Sequence, residues 1–149
     1  MYVIPQKMHS FPHDRILGGS LLDPERLDAV RAYDISDAGL DEFFERVVEL
    51  ASAIFSTSSV AAVSFIDAQH ECFRASRGLA TSELPLADSI GVHAIGHNDL
   101  VIPDASKDAR FTTYPLVTRD GFRFYAAAVV RSGGGHHIGT ICVMDHHPI

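Results

Sequence analysis

Leu100 to Asp145 reads LVIPDASKDARFTTYPLVTRDGFRFYAAAVVRSGGGHHIGTICVMD, and its punctuation divides it into strands and breaks. Leu100 to Ile102 is apolar and too short for anything but a strand, and Pro103-Asp104 ends it. Asp104 to Tyr114 is polar, a loop with room for one helical turn. Phe122 to Val130 is rich in aromatic and β-branched residues, as strands are. Gly133-Gly134-Gly135 then turns the chain into a last strand, Ile138 to Met144.

Working outward, the upstream half shows the same alternation of signals. Val60 to Asp67 is apolar and β-rich, and Asp67-Ala68-Gln69-His70 predicts a hairpin turn into Glu71 to Ser76. Leu79 to Asp88 reads as irregular, because Pro85 cannot sit in a central strand. Ser89 can cap a short helix through Ile95 that Gly96 ends. Before the first strand, Leu40, Phe43, Phe44, Val47, Leu50, Ala51 and Ile54 recur at three- and four-residue spacing. That period predicts a strong amphipathic helix over 40–55, after a polar break at Ser36 to Gly39 and with a stop at Ser56 to Ser59. Asp23-Pro24-Glu25 opens an earlier helix to about Tyr33: an N-cap acid, a proline where no N–H is needed, and an acid near the positive dipole end.

Two hairpins separated by a helical crossover do not give the β-α-β alternation of a parallel sheet. The expected fold is α+β, a central antiparallel sheet of five to six strands with helices packed on it. Residues 1–20 read as a loose leader and 21–149 as a single domain, which the 149-residue length suits. The balance of 12 basic against 19 acidic residues, with no basic cluster, argues against nucleic acid or an anionic membrane as partner. No apolar run approaches the roughly 20 residues needed to span a bilayer, and the start lacks the basic and apolar regions of a secretory signal. The cytoplasm is the expected compartment.

Several motifs then fall into one pattern. Asp23-Pro24-Glu25-Arg26-Leu27 is followed by Ser64-Phe65-Ile66-Asp67 with Phe73, and by Ser89-Ile90-Gly91-Val92-His93-Ala94-Ile95. Val101, Pro103-Asp104-Ala105, Asp108, Arg110 and Phe111 come next. Arg123-Phe124-Tyr125-Ala126 and Gly139-Thr140-Ile141-Cys142-Val143-Met144-Asp145 complete it. This order resembles a GAF domain of the bacterial signalling type, over about Leu22 to Asp145. The resemblance implies a pocket between one sheet face and the crossover segment, and a sensory role, often within a larger signalling protein. One departure stands out: Gly91 occupies the place of the family's cysteine before His93.

If a ligand binds, the expected site lies between the sheet and 84–114. His93 on its short helix can contact a ligand or be satisfied internally, as buried polar groups usually are. Of Phe124 and Tyr125 only one can face the pocket, since neighbours in a strand point to opposite sides, and Tyr125 with its hydroxyl is the better candidate. Phe73 belongs either to that pocket or to the core. Asp104, Asp108 and Arg110 can fix a turn by an Arg–carboxylate pair, or Arg110 can face an anionic ligand. Arg123, at a strand entrance, suggests an edge ion pair.

The adjacent pairs His136-His137 and His146-His147 diverge in extended chain, and His93 with His97 has Gly96 between and no third ligand, so neither a metal nor a covalent cofactor is expected. Cys72 and Cys142 read as buried thiols. No nucleophile or metal constellation appears, which leads to the expectation that the chain is not an enzyme. The expected function is to bind a small molecule or a signalling partner. A ligand-free dimerisation module is the alternative, with a free methionine sulfoxide reductase type behind it. A homodimer is expected through the Asp23 to Tyr33 helix, whose Leu27, Val30 and Tyr33 could equally pack on the domain's own sheet.

Overall fold

The computed structural model describes residues 20–33, 38–55, 60–96 and 99–149. The expected leader, apart from Ser20, lies outside them, as do Ser36 and Asp37 of the polar break, the Ser56 to Ser59 stop, and His97. Helix α1 (Pro24–Tyr33) starts where Asp23 accepts the Arg26 N–H at 3.4 Å. Helix α2 (Ala38–Ile54) buries Phe44 and Val48 from its apolar face, each side chain worth about 1.5–3 kcal/mol. Strand β1 (Val60–Ile66) turns into β2 (His70–Arg77) as the periodicity predicts. The Asp67 carboxylate accepts the N–H groups of Gln69 and His70, both at 2.7 Å, and so fixes the turn.

After β2 come β3 (Glu83–Pro85), helix α3 (Gly91–Ile95) and β4 (Asp99–Ile102). A 3₁₀ turn at Ala105–Lys107 and the short helix α4 (Pro115–Thr118) lead to β5 (Phe124–Arg131) and β6 (His137–Asp145). The six strands form one sheet in the order β3-β2-β1-β6-β5-β4, with every neighbouring pair antiparallel. The expected antiparallel sheet with helices packed on it is what the chain forms. β3 is a correction, since Leu79 to Asp88 reads as irregular. Pro85 is tolerated because β3 is an edge strand that pairs only with β2, where a missing N–H can face away from the ladder.

The central strand β1 is buried along its whole length, so both faces of the sheet are covered. On one face α1 packs on β6, and α2 on β1 and β2. On the other, the long connections between β2 and β5 fold back as a cap. Leu84, Ile90, Ala94, Phe111, Tyr114, Leu116 and Val117 meet Val60, Ala62, Tyr125, Cys142 and Met144 of the sheet. Of the α1 stripe expected to serve a dimer, Val30 is buried in the chain's own core and the Tyr33 ring stacks on Phe65 at 6.5 Å, while Leu27 stays half-buried. No helix among the described residues is long and apolar enough to cross a membrane.

Candidate functional site

The alternation along β5 decides which groups face the cap. Phe124 joins the core under α1 and α2, while Tyr125 joins the capped core, as the strand period requires. Above Tyr125, α3 carries His93 into the same layer. His93 is buried, with Nε2 3.3 Å from the Tyr114 hydroxyl and its ring edge-on to Phe111 at 4.8 Å. Burial raises the Tyr114 phenol well above its ordinary range. Arg110 lies just outside this group, its guanidinium 4.8 Å from the Phe111 ring centre. It is held there by a two-point pair with Asp108, at 3.0 and 2.7 Å.

His93, Tyr125 and Phe73 thus border the capped core, and Arg110 sits on its rim. Asp104 stands apart: its carboxylate accepts from Ser106 N and Oγ, at 3.0 and 2.6 Å, and caps the 3₁₀ turn. Those two bonds lower its pKa. Arg123, expected in an edge ion pair, instead donates to the carbonyls of Val117 and Phe122 at 3.2 and 3.1 Å.

Sequence reasoning missed the buried carboxyl of the layer. Glu71, on β2, is buried with its carboxyl between Ser64 Oγ at 2.6 Å and Ser89 Oγ at 2.7 Å. Thr140 stands behind Ser64 at 2.8 Å, and Ser89 also accepts the Val92 N–H at 3.1 Å. A Cβ on Gly91 would come within 2.7 Å of the Glu71 carboxylate. Glycine in the place of the family's cysteine therefore has a cause in this chain: Glu71 uses the space. Nearby, the Tyr125 hydroxyl is buried without a hydrogen-bond partner, beside Thr140 and Cys142.

Burial pushes the Glu71 carboxyl above the ordinary 4.5, against the opposing bonds from Ser64, Ser89 and Thr140. A protonated Glu71 can donate to Ser64, which then donates on to Thr140, so the network accepts either state. The folded chain therefore holds this proton at pH values where the unfolded chain has released it. Its contribution to stability is fully present below about 4.5 and is lost as pH rises through the folded value. Glu71→Gln keeps the shape and cannot ionise. Its melting temperature should gain on the wild type as pH is raised from about 4.5 through the folded value. Melting curves of the two chains that run parallel across this range would refute the assignment.

A cleft of about 430 Å³ opens at the edge of the cap, between the β2–β3 and α4–β5 connections. Leu79 and Phe122 form its floor and belong to the capped core, while Thr81, Arg119, Asp120 and His146 supply polar groups at its rim. His146 stacks on Phe122 at 4.4 Å, nearly parallel, which makes one wall flat and aromatic. The volume lies within the roughly 300–1,000 Å³ of small-molecule sites. Elsewhere, burial holds the Cys142 thiol protonated and Cys72 is half-buried. The described residues hold no group of three or more His, Cys, Asp or Glu fit to bind a metal.

With this geometry in place, comparison with known proteins gives three informative likenesses. A cyclic di-GMP phosphodiesterase of Pseudomonas aeruginosa is 37% identical over 114 residues, which is 75% of this chain and 19% of that protein. The chain therefore spans about a fifth of the length of the curated relative it matches. Among solved structures, the free methionine-R-sulfoxide reductase of Neisseria meningitidis, in complex with its substrate, aligns with a TM-score of 0.60 at 14% identity. That alignment covers 99% of this chain and 80% of the other. The GAF domain of an Acinetobacter phosphoenolpyruvate-protein phosphotransferase aligns with a TM-score of 0.59 at 17% identity, covering 85% and 80%. At such identities the two structures establish the fold.

The expectation that the chain is not an enzyme is overturned by the first of these, since a protein 37% identical to it over 114 residues is named as an enzyme. A motif search within one domain has no access to chemistry carried elsewhere in a longer protein. The GAF domain family model matches residues 39–148, from the start of α2 to beyond the end of β6. That match agrees with the six-stranded antiparallel sheet, the capped face and the aligned structures, and the chain belongs to the GAF domain family.

Proposed function

We propose that this chain is a cytoplasmic sensory domain that binds a small molecule on its capped face and so sets the activity of a cyclic di-GMP phosphodiesterase module. The observation that carries this reading is the 37% identity to a phosphodiesterase of which the match is only 19%. A segment of that extent suits a regulatory part better than a whole catalytic unit. The ligand enters by the cleft at Leu79, Phe122 and His146 and reaches the layer of Tyr125 and His93. Arg110 approaches any negative group, and Phe73 packs at the side. Asp104 serves the site indirectly, by holding the turn that precedes Arg110. The Tyr125 hydroxyl supports this reading, because it is buried with no well-formed hydrogen bond to its neighbours Thr140 and Cys142, and a poorly paired polar group in a core costs about 1–3 kcal/mol.

Native mass spectrometry of freshly purified protein tests the proposal. The expected spectrum carries an adduct above the 16.2 kDa chain. Binding of the same molecule, measured by calorimetry, should weaken about tenfold or more in His93→Ala and in Tyr125→Phe, each having lost one buried hydrogen-bonding group. Wild-type affinity in both folded variants would place the site elsewhere. A bare mass, with no thermal shift from any fraction of a metabolite extract, would favour the second reading. That reading is a cap filled by its own rings that serves interaction only, and the tight Phe111–Tyr114–His93 cluster speaks for it.

A further inference from the structure

The cleft at the edge of the cap already holds a ring, and the ring belongs to the chain itself. β6 leaves the sheet at Asp145, whose carbonyl accepts the Arg123 N–H at 2.9 Å. The next residue, His146, lays its imidazole on Phe122 with ring centres 4.4 Å apart and planes 14° from parallel. Phe122, the aromatic part of the cleft floor, is buried beneath it, while His146 is exposed. Rings at this separation attract beyond the apolar area they bury, whether or not a tether joins them.

The edge of the imidazole meets a polar rim. Gly121 takes the left-handed backbone, at φ 77°, and a Cβ there would lie 3.7 Å from His146 Nδ1, so the chain turns close beside the ring. Asp120 is held by Arg119 through two bonds, at 2.9 and 3.1 Å. Its carboxyl is kept below the ordinary 3.8 first by the Arg119 bond, against burial, and then by the charges of Arg119 and His146. Asp120 therefore stands near enough to His146 to sense a charge on it.

Beyond His146 the chain runs on to Ile149, whose N–H donates to the Pro103 carbonyl at 3.1 Å. His147 turns outward, its side chain 90% exposed and its N–H bound to the Asp145 carboxylate at 3.0 Å. Residues 146–149 thus lie as a strap from just before β5 to just after β4, and His146 is the residue of the strap that lines the cleft.

We propose that His146 is an autoinhibitory plug: it fills the ring subsite of the cleft, and a ligand with a planar nitrogen ring and an N–H edge for Asp120 enters by displacing it and frees the strap. This rests on the cleft being the ligand's entrance. The ring that fits is set by the ring it replaces. It must be flat to lie on Phe122 and narrow enough to pass between the walls at 78–81 and 119–122. It must also donate at its edge, because an ionised carboxylate only accepts. Occupancy of the cleft is then felt by the chain beyond Asp145.

4-Methylimidazole, the histidine side chain without its tether, is the probe, titrated into the full chain and followed by NMR. His146→Ala should bind it at least roughly tenfold tighter than the wild type does, the worth of one stacked ring. Nuclear Overhauser contacts should place it on the Phe122 ring. 4-Methylthiazole, of the same shape but without an N–H, should bind more weakly. Exchange of the Ile149 N–H should quicken in His146→Ala, and in the wild type at saturating probe. His146 is exposed, so the variant keeps its fold, which an unchanged circular dichroism spectrum checks. His136→Ala, on the β5–β6 turn, should behave as the wild type. Equal affinity in wild type and His146→Ala overturns the proposal, as do contacts away from Phe122, equal binding of the thiazole, or unchanged Ile149 exchange. The titration needs no natural ligand, so its failure is separate from that of the sensory reading, which the native mass spectrum decides.

Discussion

Replacing Gly139 by alanine should strip the chain of a large part of its stability. Gly139 lies near the start of β6, opposite Phe65 of β1 on one side and Val130 of β5 on the other. The β5–β6 register shifts here, between Val130 and Arg131, so β6 carries an extra residue and bends. The bend turns the Gly139 Cα toward the neighbouring strand. A Cβ built on it falls 1.9 Å from the Ser64 carbonyl oxygen and 3.0 Å from the Phe65 Cα. Both are backbone atoms of the central strand, and no rotamer can move them away. Relief requires β1 and β6 to part, which breaks the ladder that holds the sheet together. A cost above about 4 kcal/mol is expected, against a total stability of about 5–15 kcal/mol for a domain of this size. Gly133 is the control: nothing lies within 4 Å of a Cβ there, so Gly133→Ala should stay within about 0.5 kcal/mol of the wild type. Urea titration followed by circular dichroism measures both. A Gly139→Ala chain with the wild-type midpoint would mean that the strands yield where the geometry says they cannot.

Gly139 also marks a boundary between what the sequence makes legible and what it does not. Regular burial writes itself into one segment at a time. The 3.6-residue period of α2, the turn of Asp67, and the division of Phe124 and Tyr125 between opposite faces all come from a rule applied within a single element. The family motifs likewise place His93, Arg110 and Tyr125 around one layer. What stays hidden is decided between elements. Glu71 looks like an ordinary polar strand residue until Ser64, Ser89 and Thr140 arrive from other parts of the chain. Gly91 looks like a missing cysteine until the Glu71 carboxylate fills its space. β3 escapes because Pro85 signals only that the strand is not central, and an edge position satisfies that. The exposed flank of α2 is indistinguishable from its core face in the sequence, since one helix alone shows an apolar stripe but not how much of it the sheet covers.

Arg26 is the clearest case of a residue whose role is set across the fold, and its removal should be nearly as damaging. On the helix pattern it belongs with the charged residues of α1, yet it is buried. Its guanidinium donates from Nε and Nη2 to the Leu21 carbonyl at 3.1 and 2.9 Å, and from Nη1 to Ile66 and His137 at 2.8 and 3.1 Å. Three chain segments end at this one cation: the 3₁₀ turn before α1, the end of β1 and the start of β6. Burial lowers its pKa to about 10, with the charges of Asp67 and Asp23 opposing, so it stays ionised at neutral pH. The junction also joins the two faces of the sheet. Leu21 packs with Val92 and Ile95 of α3, and the His137 ring lies 2.7 Å from the Ile95 carbonyl through Nδ1. Arg26→Met keeps the apolar stem and removes every donor. Three carbonyls are then left without their partner, at about 1–3 kcal/mol each where water cannot follow, so a loss of about 3 kcal/mol or more is expected. Arg26→Lys should recover only part, because one ammonium cannot match the planar fork that reaches three acceptors. Urea midpoints order the three chains as wild type, lysine, methionine. Hydrogen exchange in the methionine variant should quicken in α1 and at the end of α3 together, since one junction holds both. Exchange that quickens in α1 alone would show that the two faces are not joined there, and a methionine variant as stable as the wild type would show that the buried cation holds nothing together.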